Sequence, residues 1–391
     1  MNTLPLSPVD YIFTGTGSQP ITFAFSYQKS LDPELLQNSL RELLKVFPAA
    51  NSRLHRVSET DLAFSAMEDG LTVEVAELDT AFERSRGIEQ YIAPVRSFEG
   101  EPLTRICLTQ TPAGSVLAVS MSHALVDGFS YFHFLSSWAR TCRGERILNP
   151  HLDRTMLSSV FAYRPREITE KDIYADCGLF LAGRRSAAPA GAMKEERLFI
   201  PDGTIRTEMQ AVKEKRNTSV TENDIICATL WRKFIPIWTS EKGGGDTYLT
   251  SPFDFRRALP GFPKTYFGCA LSFATASIRL EELEATPVGD LAVLVKSAVG
   301  RMKSEFIANS MNTLENIRRQ RGLAAMEEIH LRHPQHGMIV TNLTRMPIWD
   351  IDFGSGPPAD FAAFVDVLRS AAVLPASNGV EVIIAHPSDA G

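Results

Sequence analysis

The sequence predicts an α/β protein whose sheets are mixed. Apolar runs typical of strands are interspersed with segments of helical periodicity along the 391 residues. A chain of this length favours two or three domains. Residues 164–195 are charged and then rich in Ala, Pro and Gly, which indicates a crossover between two halves.

The first half contains one well-marked helix, several strands and a second helix. We expect the first helix over 32–48, because Asp32 suits an N-cap, Pro33 suits the first turn and leucines recur every three or four residues until Pro48. The preceding ITFAFSY alternates as a half-buried strand does. Two further strands, PLTRICLTQ and SVLAVSMSH, flank the turn TPAGS, and FSYFHFLSSWARTC predicts the second helix.

The second half opens with the strand ERLFIP and a helix over TSVTENDIICATLWRKF, capped by Ser219 or Thr221. A glycine loop at 243–245 precedes the strand-like segments YLTSPFDF and CALSFATASI. We expect a long, charged helical region over roughly 281–330 and two final strands, MIVTNL and VEVIIAH.

Charge and composition argue against several classes of protein. Lys and Arg number 40 against 46 Asp and Glu, without a basic tract, so nothing favours nucleic acid or an anionic membrane as a partner. The longest apolar stretch, 116–126, is shorter than the roughly 20 residues of a membrane-spanning helix. The first residues lack the pattern of a signal peptide. Because five scattered cysteines without a CxxC pair are typical of a reducing compartment, we expect a cytoplasmic protein.

The segment SMSHALVDGFS carries the clearest chemistry. His123 follows a buried strand, so a ring nitrogen can face a cleft, and an imidazole with an ordinary pKa of about 6.5 is a neutral base at pH 7. Gly128 allows a sharp turn into the next helix. Asp127 can aim at the imidazole or brace the loop through an arginine. The structural alternative is a core histidine with Asp127 as a helix cap, and HxxxDG alone leaves the two interpretations balanced.

Five more segments extend in order over residues 6 to 361. They are LSPVDYIF, LQNSLRELLKVFPAANSRLHR, DIICATLWRKF, SPFDFRRALPGFPKTYFGCAL and TNLTRMPIWDIDFGSGPPADF. Together with HxxxDG they resemble the ordered motifs of the BAHD-type acyl-CoA-dependent acyltransferases, a branch of the chloramphenicol acetyltransferase-like superfamily. Each segment is weak alone, but the ordered set spans nearly the whole chain.

This resemblance implies two chloramphenicol acetyltransferase-like domains with the active site in a channel between them. The expected parts are an N-terminal domain over 1–175, a crossover linker over 176–195 and a C-terminal domain over 196–391. Acyl-CoA would be a co-substrate, with no cofactor bound permanently. The acceptor would be a small alcohol or amine of secondary-metabolite type. A monomer that uses neither nucleic acid nor membrane as a partner is expected.

The resemblance also implies roles for the site residues. His123 would be the general base for the acceptor, without an acyl-enzyme, which agrees with the absence of a G-x-S-x-G segment from the sequence. Asp127 would pair with Arg256 and not touch substrate. Thr341, with Asn342 as second choice, would donate to the oxyanion.

The segment DFGSG would organise the donor side of the channel. Asp352 and Gly354 match the family pattern, whereas Ser355 stands in place of a tryptophan. Leu343 replaces a second tryptophan, which argues against a bulky planar acceptor.

A solvated face is the more frequent role of lysines like those at 213 and 215. The expected coenzyme A contacts are Lys213, Lys215 and Ser355.

Three alternatives remain beside this interpretation. His330, His333 and His336 could suggest zinc, but Pro334 interrupts the helix and no pattern completes four ligands, so we expect no metal. A condensation-type enzyme would take its acyl group from a carrier protein, and such enzymes usually have a second histidine where this chain has Ser122. A non-catalytic relative would bind a thioester or metabolite without acyl transfer.

Overall fold

The computed structural model of the chain describes residues 3–16, 18–157, 161–185, 193–239, 245–365 and 367–388. Sixteen strands and eight α-helices lie within these ranges, which confirms the predicted α/β class. No helix in the described ranges is long and apolar enough to cross a membrane.

The strands are β1 (Thr3–Pro5), β2 (Pro20–Tyr27), β3 (Ser52–Arg56), β4 (Leu62–Ala66), β5 (Val73–Glu77), β6 (Thr104–Thr111), β7 (Gly114–Ser122), β8 (Phe180–Leu181), β9 (Met193–Pro201), β10 (Asp246–Asp254), β11 (Leu271–Arg279), β12 (Ile329–His330), β13 (Gly337–Asn342), β14 (Asp360–Ala363), β15 (Ser370–Ala376) and β16 (Gly379–Pro387). The helices are α1 (Pro33–Leu44), α2 (Gly128–Cys142), α3 (Glu170–Cys177), α4 (Asp202–Arg216), α5 (Glu222–Trp238), α6 (Leu280–Leu283), α7 (Val288–Gly300) and α8 (Ser304–Met326).

Two large mixed sheets organise the molecule. The first has the strand order β14-β2-β7-β6-β5, and only β5 and β6 among its described pairs are parallel. The second has the order β11-β10-β13-β15-β16-β9, with β13 parallel to both β10 and β15. Smaller sheets join β1, β4 and β3, and β12 with β8. The central strand β7 is buried along its whole length, so its end can hold a side chain rigidly.

The later part of the chain contributes to both large sheets. β14 pairs with β2, with Phe361 opposite Phe25. Ile307 and Met311 of α8 belong to the same apolar cluster as Leu117 of β7. A second cluster contains Trp231 of α5 and lies on the second sheet. The predicted division at residues 175 and 195 remains a prediction.

The helix predicted over 32–48 is confirmed but ends earlier. Asp32 caps α1 by accepting hydrogen bonds from two backbone N–H groups, and Pro33 occupies the first helical position. The helix ends at Leu44, and Pro48 begins a separate short 3₁₀ helix. Thr221 caps α5 in a capping box, which decides between the two predicted caps.

Several elements differ from the sequence-based expectations. α3 lies inside the charged segment predicted as a crossover, and α4 was not predicted at all. The sequence of α4 buries only Ile205 and Val212, so its apolar stripe is too sparse to recognise. The long helical region over 281–330 is three helices, α6 to α8. Of the glycine loop predicted at 243–245 only Gly245 is described, and residues 186–192 of the crossover lie outside the described residues.

Candidate active site

His123 stands at the point where β7 ends and a tight loop leads into α2. The loop is closed by the N–H groups of Leu125 and Val126, which both donate to the carbonyl oxygen of Ser122, at 3.0 and 3.2 Å. The Ser122 hydroxyl lies 2.6 Å from that of Ser97 and accepts from the backbone N–H of the residue after His123. A buried strand and a hydrogen-bonded loop therefore fix the backbone that carries the imidazole.

The imidazole of His123 is half-buried and lies flat against an aromatic ring. The Phe13 ring is stacked on it, with 4.0 Å between ring centroids and 5° between planes. Nδ1 is buried and makes no hydrogen bond to the described part of the chain. Burial lowers the pKa of His123 below its ordinary value, while the carbonyl oxygens of His123 and Val126 and the charge of Asp127 act in the opposite direction. The ring is therefore neutral at pH 7, as a general base requires.

Asp127 is directed away from the imidazole, towards Arg256. Arg256 Nη1 lies 2.7 Å from Asp127 Oδ2, and Nη2 donates to Oδ1 at 3.0 Å. The contact between Nη1 and Oδ2 is an ion pair without hydrogen-bond geometry, since Nη1 has no hydrogen-bond partner in the described residues. Asp127 also caps α2 by accepting from the Ser130 N–H at 2.9 Å and accepts from the Ala270 N–H at 2.8 Å. Asp127 therefore both braces the loop through Arg256 and caps α2.

The charged groups of the Asp127–Arg256 pair are buried in the protein interior. Asp127 and Arg256 have side chains that are 1% and 3% exposed. Burial raises the pKa of the Asp127 carboxyl, but the charge and hydrogen bonds of Arg256 outweigh burial, so the pKa is lowered overall. Arg256 Nη2 also donates to the carbonyl oxygens of Tyr266 and Gly268, at 3.1 and 3.0 Å. A Cβ on Gly268 would lie 2.6 Å from the Tyr266 ring, so a larger residue there would have to displace that ring.

Thr341 and Asn342 lie at the end of β13, beside the start of α2. Leu343, the next residue, has a methyl carbon 3.5 Å from where a Cβ on Gly128 would stand, so the two segments approach closely. The Asn342 side chain donates to Asn223 Oδ1 at 2.9 Å and accepts from the backbone N–H that follows Leu343. One of the two N–H groups of the Asn342 amide is therefore engaged by Asn223.

The DFGSG segment is a tight turn docked on the first sheet and α2. Asp352 Oδ1 accepts from the N–H groups of Gly354 and Gly356, at 2.7 and 2.9 Å, and both glycines have φ near 101°. The Phe353 ring packs edge-on against Trp138 of α2, with 4.9 Å between centroids. Ser355 is half-buried within this turn. These contacts give the segment an architectural role.

The remaining predicted positions lie elsewhere. Lys213 and Lys215 are exposed in the last turn of α4, where the adjacent Arg216 forms an ion pair with Asp290. The structure therefore unites His123, Asp127, Gly128 and Arg256 around one loop and gives these lysines no contact with it in the described residues.

His330, His333 and His336 form part of an aromatic cluster. His333 stacks on Tyr248 with 5.1 Å between centroids, and its Nδ1 accepts from the His336 N–H at 3.0 Å. His330 Nε2 lies 2.8 Å from the carbonyl oxygen of Gly183. Within the described ranges, no group of three or more His, Cys, Asp or Glu side chains is arranged to hold a metal ion.

Phe13 and Arg154 were missed by sequence reasoning. Phe13 lies in the segment LSPVDYIF, so its motif was visible but its contact with His123 was not. Arg154 donates to the carbonyl oxygen of Leu125 in the His123 loop and carries no local sequence signal.

Comparison with known proteins agrees with this geometry. A family model described as "Transferase family" matches residues 1–389. A hydroxycinnamoyl-CoA:5-hydroxyanthranilate N-hydroxycinnamoyltransferase of Avena sativa is 26% identical over 351 residues, which are 84% of this chain and 76% of the relative. Rosmarinate synthase of Plectranthus scutellarioides is 24% identical over 387 residues, 90% of this chain and 82% of the relative.

Solved structures give the same fold. F. graminearum TRI101 complexed with coenzyme A and deoxynivalenol superposes with a TM-score of 0.80 at 15% identity, covering 100% of this chain and 96% of that one. Vinorine synthase superposes with a TM-score of 0.74 at 17% identity, covering 100% and 91%. The fold and the ordered motifs together define an acyltransferase. The chain belongs to the Transferase family, as a BAHD-type member of the chloramphenicol acetyltransferase-like superfamily.

Proposed function

We propose that the chain transfers an acyl group from acyl-CoA to a hydroxyl or amine of a small, secondary-metabolite-like acceptor, with His123 as general base. The observation that carries this proposal is the state of the imidazole, which is half-buried, neutral at pH 7 and not tied to Asp127. An imidazolium that carried protons on both ring nitrogens at neutral pH would be unavailable to take the proton of the acceptor.

Each step then has a defined path for the proton. His123 takes the proton of the acceptor hydroxyl or amine as the acceptor attacks the thioester carbonyl carbon. The C–S bond breaks as the tetrahedral intermediate collapses. Protonated His123 gives its proton to the departing thiolate and returns to its starting state. Acyl transfer is direct in this scheme, so no residue of the chain carries the acyl group.

The Thr341 hydroxyl is the proposed donor to the oxyanion of the tetrahedral intermediate, with Asn342 as second choice. Its position at the end of β13, beside the start of α2, supports this role. A donor aimed at developing negative charge stabilises the transition state more than the ground state. The hydrogen bond from Asn342 to Asn223 supports the ranking, since it engages one of the two N–H groups of the amide and fixes the orientation of that side chain.

Asp127, Gly128 and Arg256 are proposed as structural residues of the site. The buried ion pair and the cap on α2 fix the loop that follows His123. Asp352 and Gly354 are proposed to shape the turn on the donor side of the channel, and their mutual hydrogen bond supports this.

Two observations support acyl-CoA as the proposed donor: the names of several relatives and the coenzyme A bound in structural neighbours. Several curated relatives are named as hydroxycinnamoyl-CoA or caffeoyl-CoA transferases, and structures of TRI101 contain coenzyme A. The proposed coenzyme A contacts are Lys213, Lys215 and Ser355. We further propose a cytoplasmic monomer with an N-terminal domain over 1–175, a linker over 176–195 and a C-terminal domain over 196–391.

A mass-spectrometric screen tests the proposal. A panel of acyl-CoA donors, including acetyl-CoA and caffeoyl-CoA, is incubated with mixed alcohols and amines, and acylated products are identified. We expect products with the wild type and almost none with His123→Ala. Coenzyme A binding without any product over the whole panel would support a non-catalytic relative. Turnover that requires an acylated carrier protein would support a condensation-type enzyme instead.

A further inference from the structure

A second buried ion pair lies against the loop that carries His123. Arg154 Nη1 donates to Asp10 Oδ2 at 2.8 Å, and the two side chains are 1% and 0% exposed. Arg154 Nη2 donates to the carbonyl oxygen of Leu125. Leu125 lies midway between His123 and Asp127 in the sequence. One guanidinium therefore joins the N-terminal segment of the chain to the middle of the His123 loop.

Asp10 also begins the short 3₁₀ helix that carries Phe13. The helix spans Asp10–Phe13, and Asp10 Oδ2 accepts from the Ser7 N–H at 2.6 Å, which fixes the turn before it. At the other end, Arg185 donates to the carbonyl oxygens of Ile12 and Thr14. The helix is held at both ends, so the Phe13 ring, only 3% exposed, is pressed against the imidazole in one orientation.

The His123 loop is thus fixed by two ion pairs. Arg256 holds Asp127 at the end of the loop, and Arg154 holds Leu125 at its middle. Burial raises the pKa of the Cys269 thiol, which also lies within range of the charges of both pairs, so the pairs flank one buried region.

This second pair is poorly explained by stability alone. Buried ion pairs can often be replaced by apolar side chains without loss of stability. Burial raises the pKa of Asp10 to about 6, although Arg154 and Ser7 act in the opposite direction. A carboxyl whose pKa is higher in the folded than in the unfolded chain loses its stabilising contribution as pH rises through about 6. Ionisation of Asp10 at pH 7 is therefore less favourable in the folded than in the unfolded chain, which points to a role for the pair besides stability.

We propose that Asp10 and Arg154 are positioning residues for acyl transfer, which hold the His123 loop and, through Phe13, the face of the imidazole. The proposal rests on the proposed function, in which His123 is the base. Neither residue touches the reacting atoms in this account. A base displaced by about 1 Å can lose as much as 10²-fold in rate, so a second fixed point on its loop has a direct kinetic value.

The test combines kinetics with a direct measurement on the imidazole. Asp10→Asn, Arg154→Lys and Phe13→Leu are compared with the wild type by ring ¹⁵N NMR titration, with the His123 signals assigned from their absence in His123→Ala. Coenzyme A binding is measured by calorimetry. Turnover is measured with the donor and acceptor that gave the highest rate in the screen. The kcat value is calculated per folded molecule.

We expect kcat to fall at least tenfold in Asp10→Asn and Arg154→Lys, with the affinity for coenzyme A within threefold of the wild type. The pKa of His123 should rise towards its ordinary value, because a loosened loop exposes the ring to water. Phe13→Leu should raise the same pKa. Asp360→Asn is the control. It removes the β14 carboxylate that pairs with Arg84 of the 3₁₀ helix Arg84–Arg86, and it should leave kcat and the His123 titration unchanged.

Three variants with wild-type kcat and wild-type titration of His123 would overturn the proposal, even if their melting temperatures fell. Should Asp10→Asn fail to fold, Arg154→Lys and Phe13→Leu decide the question, since the first keeps the charge and the second keeps the pair. Failure of the proposed function has a different signature. In that case His123→Ala retains turnover, while the NMR titration still reports whether Asp10 and Arg154 hold the ring.

Discussion

Phe13 and His123 lie face to face, 4.0 Å apart between ring centres and 5° from parallel, although 110 positions separate them in the sequence. One face of the imidazole is therefore closed to water and to substrate. In the proposed reaction the acceptor therefore approaches the ring edge or the opposite face. Because burial also lowers the pKa of the ring, the geometry that limits access keeps the base unprotonated.

The pH dependence of the reaction should report this imidazole. Burial lowers the pKa of His123 in the folded chain, so the neutral base persists to more acidic pH than an exposed histidine would allow. We expect kcat/KM to fall on the acid side with a midpoint below about 6.5. The ring ¹⁵N titration should have the same midpoint. A kinetic midpoint clearly above the ordinary value, with a ring that titrates elsewhere, would mean that another group controls the rate.

Removal of Asp127 should damage the fold before the chemistry. Asp127→Ala leaves the Arg256 guanidinium buried and without its main ion-pair partner, which costs about 3–5 kcal/mol of unfolding free energy. Denaturation by urea measures this loss. Asp254→Asn is the matched control, because Asp254 also lies 3.0 Å from Arg256 but is 44% exposed. Its loss should cost about 1 kcal/mol or less. An Asp127→Ala protein of unchanged stability and no turnover would contradict the structural role.

Thr341→Val tests the proposed oxyanion donor. Valine preserves the shape of the side chain and removes the hydroxyl, so kcat should fall by about 10²-fold with little change in KM. Asn342→Ala breaks the contacts with Asn223 and the following loop and should affect stability more than kcat. A Thr341→Val enzyme with the turnover of the wild type would reject this assignment.

The histidine cluster around His333 should make stability sensitive to acid. Burial, together with neighbouring positive groups such as His336, lowers the pKa of His333 to about 4. The unfolded chain therefore binds the proton first, and stability falls as pH drops from about 6.5 towards 4. His333→Phe keeps a ring against Tyr248 and removes the titration, so its melting temperature should fall less over this window. Parallel pH profiles for the two proteins would contradict this.

Direct transfer predicts that no acyl group stays on the protein. After incubation with acetyl-CoA or caffeoyl-CoA alone, the intact mass of the chain should be unchanged. Denaturation before the measurement removes any bound donor. A mass increase equal to one acyl group, lost again when an acceptor is added, would indicate an acyl-enzyme and exclude the direct scheme.

Local features of the fold could be predicted from the sequence because their causes are local. The cap at Asp32, the periodicity of α1 and the buried run of β7 each lie within a few neighbouring residues. Helix α4 was not predicted, because its two buried apolar residues are too few to mark an apolar face. The sequence predicts a helical region over roughly 281–330 but not its division into three helices, because Pro287 before α7 and the short break before α8 do not interrupt its helical composition.

The candidate site was only partly predictable. The HxxxDG loop and its arginine at 256 came from motif resemblance, and the structure brings them together. Arg154 could not be found, because it reaches Leu125 and Asp10 through long-range contacts that leave no spacing in the sequence. The coenzyme A contacts at Lys213 and Lys215 rest on charge alone and stay a prediction, because charge does not specify which face of a helix meets a ligand.

The most direct test of the central claim is the turnover number of His123→Ala, measured with the best donor and acceptor from the screen. Circular dichroism and the melting temperature establish that the variant is folded. The account predicts a fall in kcat of about 10²-fold or more, with coenzyme A still bound. A folded variant that keeps its turnover within a factor of two of the wild type would contradict it.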